Sequence, residues 1–293
     1  WDRVGFWVQR CTVWSPAMNR HITMQIQPAK NGGNAGLYML DGLRATEITN
    51  AWVNDVNAAR TFVNNNITLV MPVGGESSFY SDWEQADRGK HYMWETFLTK
   101  ELPPIINDAF ATTRVNAIAG ISMAGTSVLN LAISAPRLYR SVAAFSGCAR
   151  TSDPVGQQYI RMVVQDRGGG NMVNMWGPLN GPGWRANDPY LNAEKLRGVK
   201  VYMTTGSGLP GAHERLDDKN IEGDPLTLAN QAVLGGGIEV AIDICTRQMV
   251  DRMHQLKIPV QVNFRPTGTH SWGYWEDDLK QSWPMMANAM GAR

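Results

Sequence analysis

The sequence has little cysteine, few charged residues and no long apolar run. Its 293 residues include 3 Cys, and 27 Lys and Arg stand against 26 Asp and Glu, so that the net charge is +1. Without blocks of like charge, the chain lacks the electrostatic footprint of a nucleic-acid-binding protein. Without about 18 consecutive apolar residues, we expect no membrane span. Because 43% of the residues are hydrophobic, intrinsic disorder is excluded as well.

The three cysteines, Cys11, Cys148 and Cys245, have the spacing of no zinc or redox motif. An odd number leaves at least one free thiol, and we interpret all three as small buried apolar residues, which do not decide the compartment. We expect neither a metal nor a cofactor. The chain begins with Trp1 and lacks a charged-then-apolar leader, as is typical of a processed mature form or a shortened chain.

Short apolar runs alternate with longer helix-like segments, and no linker or repeat divides them. The pattern predicts strands at Cys11–Ser15, Ile22–Gln27, Leu37–Leu40, Ile67–Met71, Ala117–Ala119, Ala143–Ser146, Val199–Thr204 and Val260–Phe264. It predicts helices at Thr96–Asn107, Thr126–Ala135 and Val240–Leu256. The first two strands alternate apolar and polar residues, as antiparallel strands near an edge do. We therefore expect one α/β domain over residues 1–293, with a mostly parallel sheet covered by helices on both faces.

Two Gly-rich stretches interrupt the alternation, at residues 150–190 and 206–237. Each follows a predicted strand, and we interpret each either as a surface loop or as a substrate-binding lid over the active edge of the sheet. Four tryptophans are interpreted either as an apolar mouth that, with these stretches, shields the active edge from water, or as only a hydrophobic rim, namely Trp176, Trp184, Trp272 and Trp275.

The segment Gly120–Gly125 (GISMAG) lies between an apolar strand and an apolar helix. A serine nucleophile on such a tight strand-to-helix turn needs small residues two positions before and after it, which Gly120 and Ala124 provide. We therefore predict that Ser122 is a nucleophile. The amide N–H of Met123, the next residue, is then one donor of an oxyanion hole.

A serine nucleophile needs a histidine base and an acid that orients it, in the chain order Ser, acid, His. His270 follows the strand Val260–Phe264 in a short turn, which favours it over His213 as the base. Spacing leaves the acid open and favours the first cluster among Glu214, Asp217, Asp218, Glu222, Asp224 and Glu239. The turn Asp41–Arg44 after another strand is either a source of the second oxyanion donor or a plain turn.

Five strings resemble the antigen 85 family of secreted mycolyltransferases from mycobacteria and corynebacteria. They are YMLDGLRA (Tyr38–Ala45), MPVGGESSFYSDW (Met71–Trp83), WETFLTKELP (Trp94–Pro103), GISMAG (Gly120–Gly125) and GTHSWGYW (Gly268–Trp275). The resemblance implies an α/β-hydrolase fold with Ser122 as nucleophile, His270 as base and Glu239, against the spacing preference, as acid. It also implies oxyanion donors at Leu43 and Met123 and a sugar pocket formed by Asp41, Arg44 and Trp272.

The resemblance further implies an envelope acyltransferase, secreted to the cell wall. It would move a mycoloyl or corynomycoloyl group from trehalose monomycolate to a hydroxyl of a second trehalose monomycolate, of arabinogalactan or of a small envelope protein. Poor matching at 150–190 and 206–237 favours a corynebacterial source with shorter acyl chains. The alternatives are a serine carboxylesterase that uses water and an adhesin, since members of the family bind fibronectin through a surface near Met71–Trp83.

Overall fold

One mixed sheet runs through the computed structural model, which describes residues 2–4 and 8–292. Its strands are β1 (Asp2–Val4), β2 (Val8–Ser15), β3 (Arg20–Gln27), β4 (Asn34–Leu40), β5 (Ile67–Pro72), β6 (Thr112–Ile121), β7 (Tyr139–Phe145), β8 (Lys200–Thr205) and β9 (Val260–Phe264). The strand order is β1-β2-β3-β5-β4-β6-β7-β8-β9. The sequence predicted all of these strands except β1.

The direction of the strands agrees with the prediction of a mostly parallel sheet. β1, β2, β3 and β5 pair antiparallel at one edge, and the pairs from β5 through β4, β6, β7 and β8 to β9 are parallel. Alternate side chains of β4 enter two different apolar cores: Tyr38 and Leu40 lie in one, and Leu37 and Met39 in the other. Both faces of the sheet are therefore buried, as in an α/β-hydrolase fold.

The helices that cover the sheet begin and end as follows. They are α1 (Ala51–Asn54), α2 (Ala58–Thr61), α3 (Trp94–Thr96, Phe97–Glu101 and Leu102–Phe110 in continuous succession), α4 (Met123–Ser134), α5 (Pro154–Arg161, extended by Met162–Arg167), α6 (Met172–Trp176), α7 (Pro182–Ala186), a 3₁₀ turn (Ala193–Leu196), α8 (Pro225–Gln255) and α9 (Trp272–Met290). Residues 150–190 thus contain three helices, and 206–237 include the start of α8, so that neither stretch is a plain loop.

Helix α8 begins at Pro225, well before the predicted start at Val240. The sequence-based boundary is wrong because Gly235–Gly237 resemble a helix stop, whereas here they lie inside the helix and Gly236 allows close packing. A Cβ atom at Gly236 would lie 2.5 Å from the carbonyl oxygen of Gly208. Helix α9 was not predicted at all, and it contains Pro284, a residue that disfavours helix interiors.

Helix α8 has 31 residues and is, by length and composition alone, apolar enough to cross a membrane. In this fold it packs on β8 and β9. Its buried residues include Ile242, Met249 and Met253 and also the carboxylate side chain of Glu239. We interpret it as a core-covering helix, and the absence of a membrane span stays a prediction.

Cys148 and Cys245 are buried, as the sequence predicted, and they form a disulfide, which the sequence analysis did not predict. The bond joins the segment after β7 to helix α8 across 97 residues of sequence. Cys11, on β2, is the free cysteine and is partly buried. Local sequence patterns do not encode such a pairing, because the two residues meet only when α8 packs against the sheet.

Candidate active site

Ser122 lies on a strained turn between the end of β6 and the start of α4. Its φ of 53° and ψ of −122° are rarely adopted by a residue with a side chain. Its amide donates to the carbonyl of Phe145 at 2.8 Å, which ties the turn to β7. A Cβ at Gly120 would lie 2.6 Å from the carbonyl oxygen of Ala124, so that only glycine fits two positions before Ser122. The geometry is that of a nucleophile elbow.

His270 connects Ser122 to Glu239. Its Nε2 lies 2.7 Å from Ser122 Oγ, and its Nδ1 lies 2.8 Å from Glu239 Oε2. An ionised carboxylate can only accept, so Nδ1 carries the proton and Nε2 is left to accept the Ser122 hydroxyl proton. The three predicted residues come together at the carboxyl ends of β6, β8 and β9, although they stand on three separate segments of the chain.

Glu239 is completely buried on α8 and has its second carboxylate oxygen fully engaged. Oε1 accepts hydrogen bonds from Ser146 Oγ at 2.7 Å, from Thr205 Oγ1 at 3.1 Å and from the Gly206 amide at 2.7 Å. These donors compensate the cost of burying a charge and hold Oε2 toward His270. Sequence reasoning missed Ser146 and Thr205; their position at the carboxyl ends of β7 and β8 was the available signal.

The imidazole of His270 is also held in place by a neighbouring aromatic ring and by hydrogen bonding of its own loop. Trp275 stands edge-on against it, with ring centroids 4.9 Å apart, and the Trp275 indole donates to Ser146 at 3.1 Å. Thr269, its neighbour in sequence, donates through Oγ1 to Glu214 at 2.5 Å. Glu214 therefore supports the histidine loop, and it is Glu239 that contacts the imidazole.

His213, the alternative base, lies in a separate carboxylate clamp. Its ring nitrogens are each 2.9 Å from a carboxylate, Nδ1 from Asp218 and Nε2 from Asp277. Burial lowers the pKa of His213, but the hydrogen bonds and charges of Asp277 and Asp218 outweigh it and raise the pKa overall. Within residues 2–4 and 8–292, no group of His, Cys, Asp or Glu side chains is arranged to hold a metal ion.

The turn Asp41–Arg44 packs directly against Ser122. A Cβ at Gly42 would lie 3.6 Å from Ser122 Cβ, so the backbone of this turn borders the site. The carbonyl of Leu43 accepts from the Ser77 amide at 3.1 Å, which leaves the turn anchored on a second loop. Met123, on the other side of Ser122, is the first residue of helix α4. The free backbone N–H groups at a helix N-terminus favour negative charge.

Asp41 and Arg44, both predicted to bind sugar, differ in their surroundings. Asp41 is buried, and its two oxygens accept from the amides of Gly42 at 2.7 Å and Ala51 at 2.9 Å. Burial raises the pKa of Asp41 to about 6, with these two amides opposing the change. Arg44 is exposed. Asp41 thus shapes the turn, and Arg44 is the group with access to solvent.

The predicted tryptophan mouth is largely wrong. Trp176 and Trp184 are fully buried and pack edge-on against each other, and Trp275 is buried behind His270. Only Trp272 is partly exposed, and its ring contacts those of Trp52 and Trp275. Large aromatic rings in a Gly-rich stretch fill the space between short helices more effectively than they line a surface.

An apolar groove lies between α5 and α8, near Ser122. Its volume is about 620 Å³, and it is lined by Pro154, Val155, Gln158, Tyr159, Met162, Val233, Leu234, Gly237, Ile238 and Ala241. Tyr159, one of the lining residues, has its buried phenol close to Ser122 and so connects the groove with this serine. Val233 is 72% exposed and Leu234 53% exposed, an arrangement that suits a long apolar ligand.

The chain is similar to known esterases and acyltransferases. A family model described as "Putative esterase" matches residues 15–286. Ag85A from Mycobacterium leprae, a diacylglycerol acyltransferase/mycolyltransferase, is 35% identical over 99% of this chain and 86% of its own length. Ag85B from the same organism is 34% identical over the same shares.

Solved structures agree with the sequence relatives. MPT51 (FbpC1) of Mycobacterium tuberculosis superposes with a TM-score of 0.81 and 25% identity, covering 97% of this chain and 98% of its own. The serine hydrolase FphF of Staphylococcus aureus superposes with a TM-score of 0.71 at 15% identity, over 96% and 98% of the two chains, and supports the fold alone. The chain therefore belongs to this esterase family, as a member of the Ag85 diacylglycerol acyltransferase/mycolyltransferase group.

Proposed function

We propose that the chain transfers a long acyl group between hydroxyl groups through a covalent intermediate on Ser122. The observation that carries the proposal is the hydrogen-bonded series Ser122–His270–Glu239, together with an apolar groove whose lining residue Tyr159 lies close to Ser122. Such a series activates a serine for acyl transfer, and the groove suits the acyl chain. The whole of residues 1–293 would act as one catalytic domain.

In the first half-reaction, Ser122 Oγ attacks the ester carbonyl carbon while His270 Nε2 accepts the hydroxyl proton. The amides of Met123 and Leu43 would donate to the oxyanion that forms. When the tetrahedral intermediate collapses, the bond to the sugar oxygen breaks, and that oxygen takes the proton from His270. Glu239 stabilises the imidazolium during this step, since its charge lies 2.8 Å from Nδ1.

In the second half-reaction, an acceptor hydroxyl gives its proton to His270 Nε2 and attacks the acyl carbon. The Ser122 Oγ–acyl bond breaks, and Ser122 recovers its proton from the imidazolium. Water can replace the acceptor, so a transferase must bind its acceptor next to the acyl-enzyme. We assign that binding to Arg44 and Trp272, whose partly or fully exposed side chains border the site, and to the turn held by Asp41.

The names of the relatives guide the choice of substrate. Because the Ag85 proteins are mycolyltransferases, trehalose monomycolate is the proposed donor, and a second trehalose monomycolate, arabinogalactan or a serine of a small envelope protein is the proposed acceptor. The groove supports a lipid donor, since its exposed lining is predominantly apolar. Secretion to the cell envelope is supported by the Cys148–Cys245 disulfide, since such bonds persist in oxidising compartments.

A water-using esterase shares every residue of this site and is the second candidate. A fibronectin-binding adhesin has less support, because Phe79, Tyr80 and Trp83 of the Met71–Trp83 segment are buried. These rings are therefore occupied in the core and form no exposed aromatic surface.

Product analysis distinguishes transfer from hydrolysis. We would incubate the chain with trehalose monomycolate labelled in its acyl group, with and without each acceptor, and separate the products. Transfer predicts that label moves to the acceptor and that a Ser122→Ala variant moves none. If free acid dominates even at saturating acceptor, the chain is an esterase. If the Ser122→Ala variant still transfers label, the acyl-enzyme proposal is wrong.

A further inference from the structure

A second charged pair lies buried behind the acid of the proposed triad. Arg265, just after β9, donates through Nη1 to both oxygens of Asp278 on α9, at 2.6 and 2.5 Å. Thr204 also contacts both partners, at 2.6 Å from Asp278 and 3.2 Å from Arg265. Asp278 is completely buried, and the Arg265 side chain is 11% exposed. Neither residue has a part in the acyl transfer described above.

The free side of this guanidinium faces Glu239. Arg265 Nη2 lies 3.6 Å from Glu239 Oε1, an ion-pair distance that is too long for a hydrogen bond. The Nε and Nη2 atoms are buried without a hydrogen-bond partner among the described residues. An arginine with two unpaired nitrogen atoms is costly unless its charge acts on a neighbour. Glu239 is the carboxylate within reach.

The charges in this cluster can be counted. With Glu239 and Asp278 ionised, Arg265 charged and His270 neutral, two negative charges stand against one positive charge. The cluster therefore has one unit of negative charge at rest, and it becomes neutral when His270 takes the Ser122 proton. Without Asp278, the arginine would cancel the charge of Glu239 and oppose that proton transfer.

We infer that Arg265 and Asp278 form a positioning pair that sets the electrostatic potential at His270. This inference rests on the proposed triad. Arg265 places its positive charge beside Glu239 Oε1. Asp278 neutralises Arg265, so that the Glu239 charge remains available to stabilise the imidazolium. The pair acts through Glu239 and contacts no reacting atom.

Other ionisable groups face the pair. The guanidinium of Arg265 lies over the Tyr274 ring, 5.0 Å from its centroid, and the Tyr274 hydroxyl donates to Glu214. The Tyr202 phenol on β8 interacts with the charges of Asp278 and Arg265. On the other side, Tyr159 interacts with the charge of Glu239. The tyrosines are neutral at ordinary pH, and Glu214 is engaged by its own donors, so the variable charge is that of Asp278.

Burial raises the pKa of Asp278 to about 6, and Arg265 and the Thr204 hydroxyl oppose this change. The carboxyl is thus ionised at pH 7 and above, where the count given above applies. An Asp278→Asn variant imitates its protonated form at every pH and keeps nearly the same shape.

The test is the dependence of kcat/KM on pH for hydrolysis of p-nitrophenyl butyrate. In Asp278→Asn, the acid limb should move to lower pH by about half to one unit, because uncompensated Arg265 disfavours the imidazolium. The plateau should fall by about tenfold, since the same charge destabilises the transition state. In Arg265→Gln/Asp278→Asn, the acid limb should return to within about 0.2 units of the parent, because the net charge is restored.

Glu276→Gln is the matched control, since it removes a more exposed carboxylate from the same helix and should leave the profile in place. Circular dichroism of each variant establishes that it is folded. If the acid limb of Asp278→Asn coincides with that of the parent, or if the double variant is shifted further than the single one, the pair has only a structural role. Ser122→Ala distinguishes failure of the proposed triad from failure of this inference. If Ser122→Ala abolishes turnover while Asp278→Asn leaves the pH profile unchanged, the triad stands and this inference fails.

Discussion

The indole of Trp275 stands perpendicular to the imidazole of His270, with an interplanar angle of 86° and ring centroids 4.9 Å apart. Its Nε1 donates to Ser146, which in turn donates to Glu239. One buried aromatic ring therefore contacts the proposed base directly and its acid through a single hydroxyl. This packing restricts the imidazole to the plane in which Nε2 faces Ser122, so that little rearrangement is needed before reaction.

Ser122→Ala should lower turnover of a short acyl ester by roughly four to six orders of magnitude, because the three residues of a triad act as a unit. The measurement is single-turnover hydrolysis of p-nitrophenyl butyrate. Ser127→Ala is the control, since Ser127 is also buried on α4 but donates to the carbonyl of Met123. Activity within tenfold of the parent in Ser122→Ala would contradict the assignment of the nucleophile.

Glu239→Gln should reduce kcat by roughly three to four orders of magnitude, because a neutral amide cannot stabilise the imidazolium or select its tautomer. Glu214→Gln is the matched variant, and we expect a loss below about a hundredfold, since Glu214 contacts Thr269 and Tyr274 and acts only on the histidine loop. The comparison uses kcat on the same short ester. A larger loss in Glu214→Gln than in Glu239→Gln would show that the acid is wrongly assigned.

Arg44→Ala should impair one reaction selectively, whereas Asp41→Asn should impair both. Arg44 is exposed beside the site, so its loss should impair transfer between trehalose esters by about tenfold or more and leave hydrolysis of p-nitrophenyl butyrate nearly unchanged. Asp41 accepts from two backbone amides, so Asp41→Asn should impair both reactions by disturbing the turn. Both rates are measured on each variant. Equal losses in Arg44→Ala on the two substrates would remove its proposed role with sugar.

The disulfide should stabilise the fold and the position of the acid. Cys148→Ser/Cys245→Ser removes a link that closes a 97-residue segment, and we expect it to lower the free energy of unfolding by about 2–5 kcal/mol. Cys245 lies on the same helix as Glu239, so kcat should fall in the folded variant as well. Urea unfolding and ester hydrolysis measure the two effects, with Cys11→Ser as control. An unchanged unfolding midpoint would show that the bond has no role in stability.

His213 should make stability depend on pH. Its pKa is raised in the folded state, because the bonds to Asp277 and Asp218 outweigh burial, so its contribution is fully present below the unfolded value of about 6.5 and is lost as pH rises through the folded value. His213→Gln should therefore lower the melting temperature by about 2–4 °C more at pH 5.5 than at pH 9.

The control for this change is His91→Gln, which removes an exposed imidazole that is not part of the Asp218–His213–Asp277 clamp. Its melting temperature should differ from that of the parent by the same small amount at both pH values. If His213→Gln destabilises the fold equally at pH 5.5 and pH 9, the clamp contributes through packing and not through charge.

Much of the sheet and two of the three site residues could be predicted from local patterns. Each interior strand is a short apolar run between turns, so β2 to β9 follow from the sequence directly. Ser122 and His270 stand in short motifs at strand ends, and the backbone there determines where the side chain lies. In such motifs the information that fixes the geometry is contained within a few neighbouring residues.

Glu239, by contrast, could be selected only through the resemblance to a family, and the spacing of acids favoured Glu214 or its neighbours. The reason is that Glu239 reaches His270 from a helix whose early start at Pro225 was hidden by glycines. The disulfide and the Arg265–Asp278 pair gave no local signal at all. Their partners are far apart in the chain, so it is the packing of α8 and α9 against the sheet that decides which buried charge meets which, and at what distance.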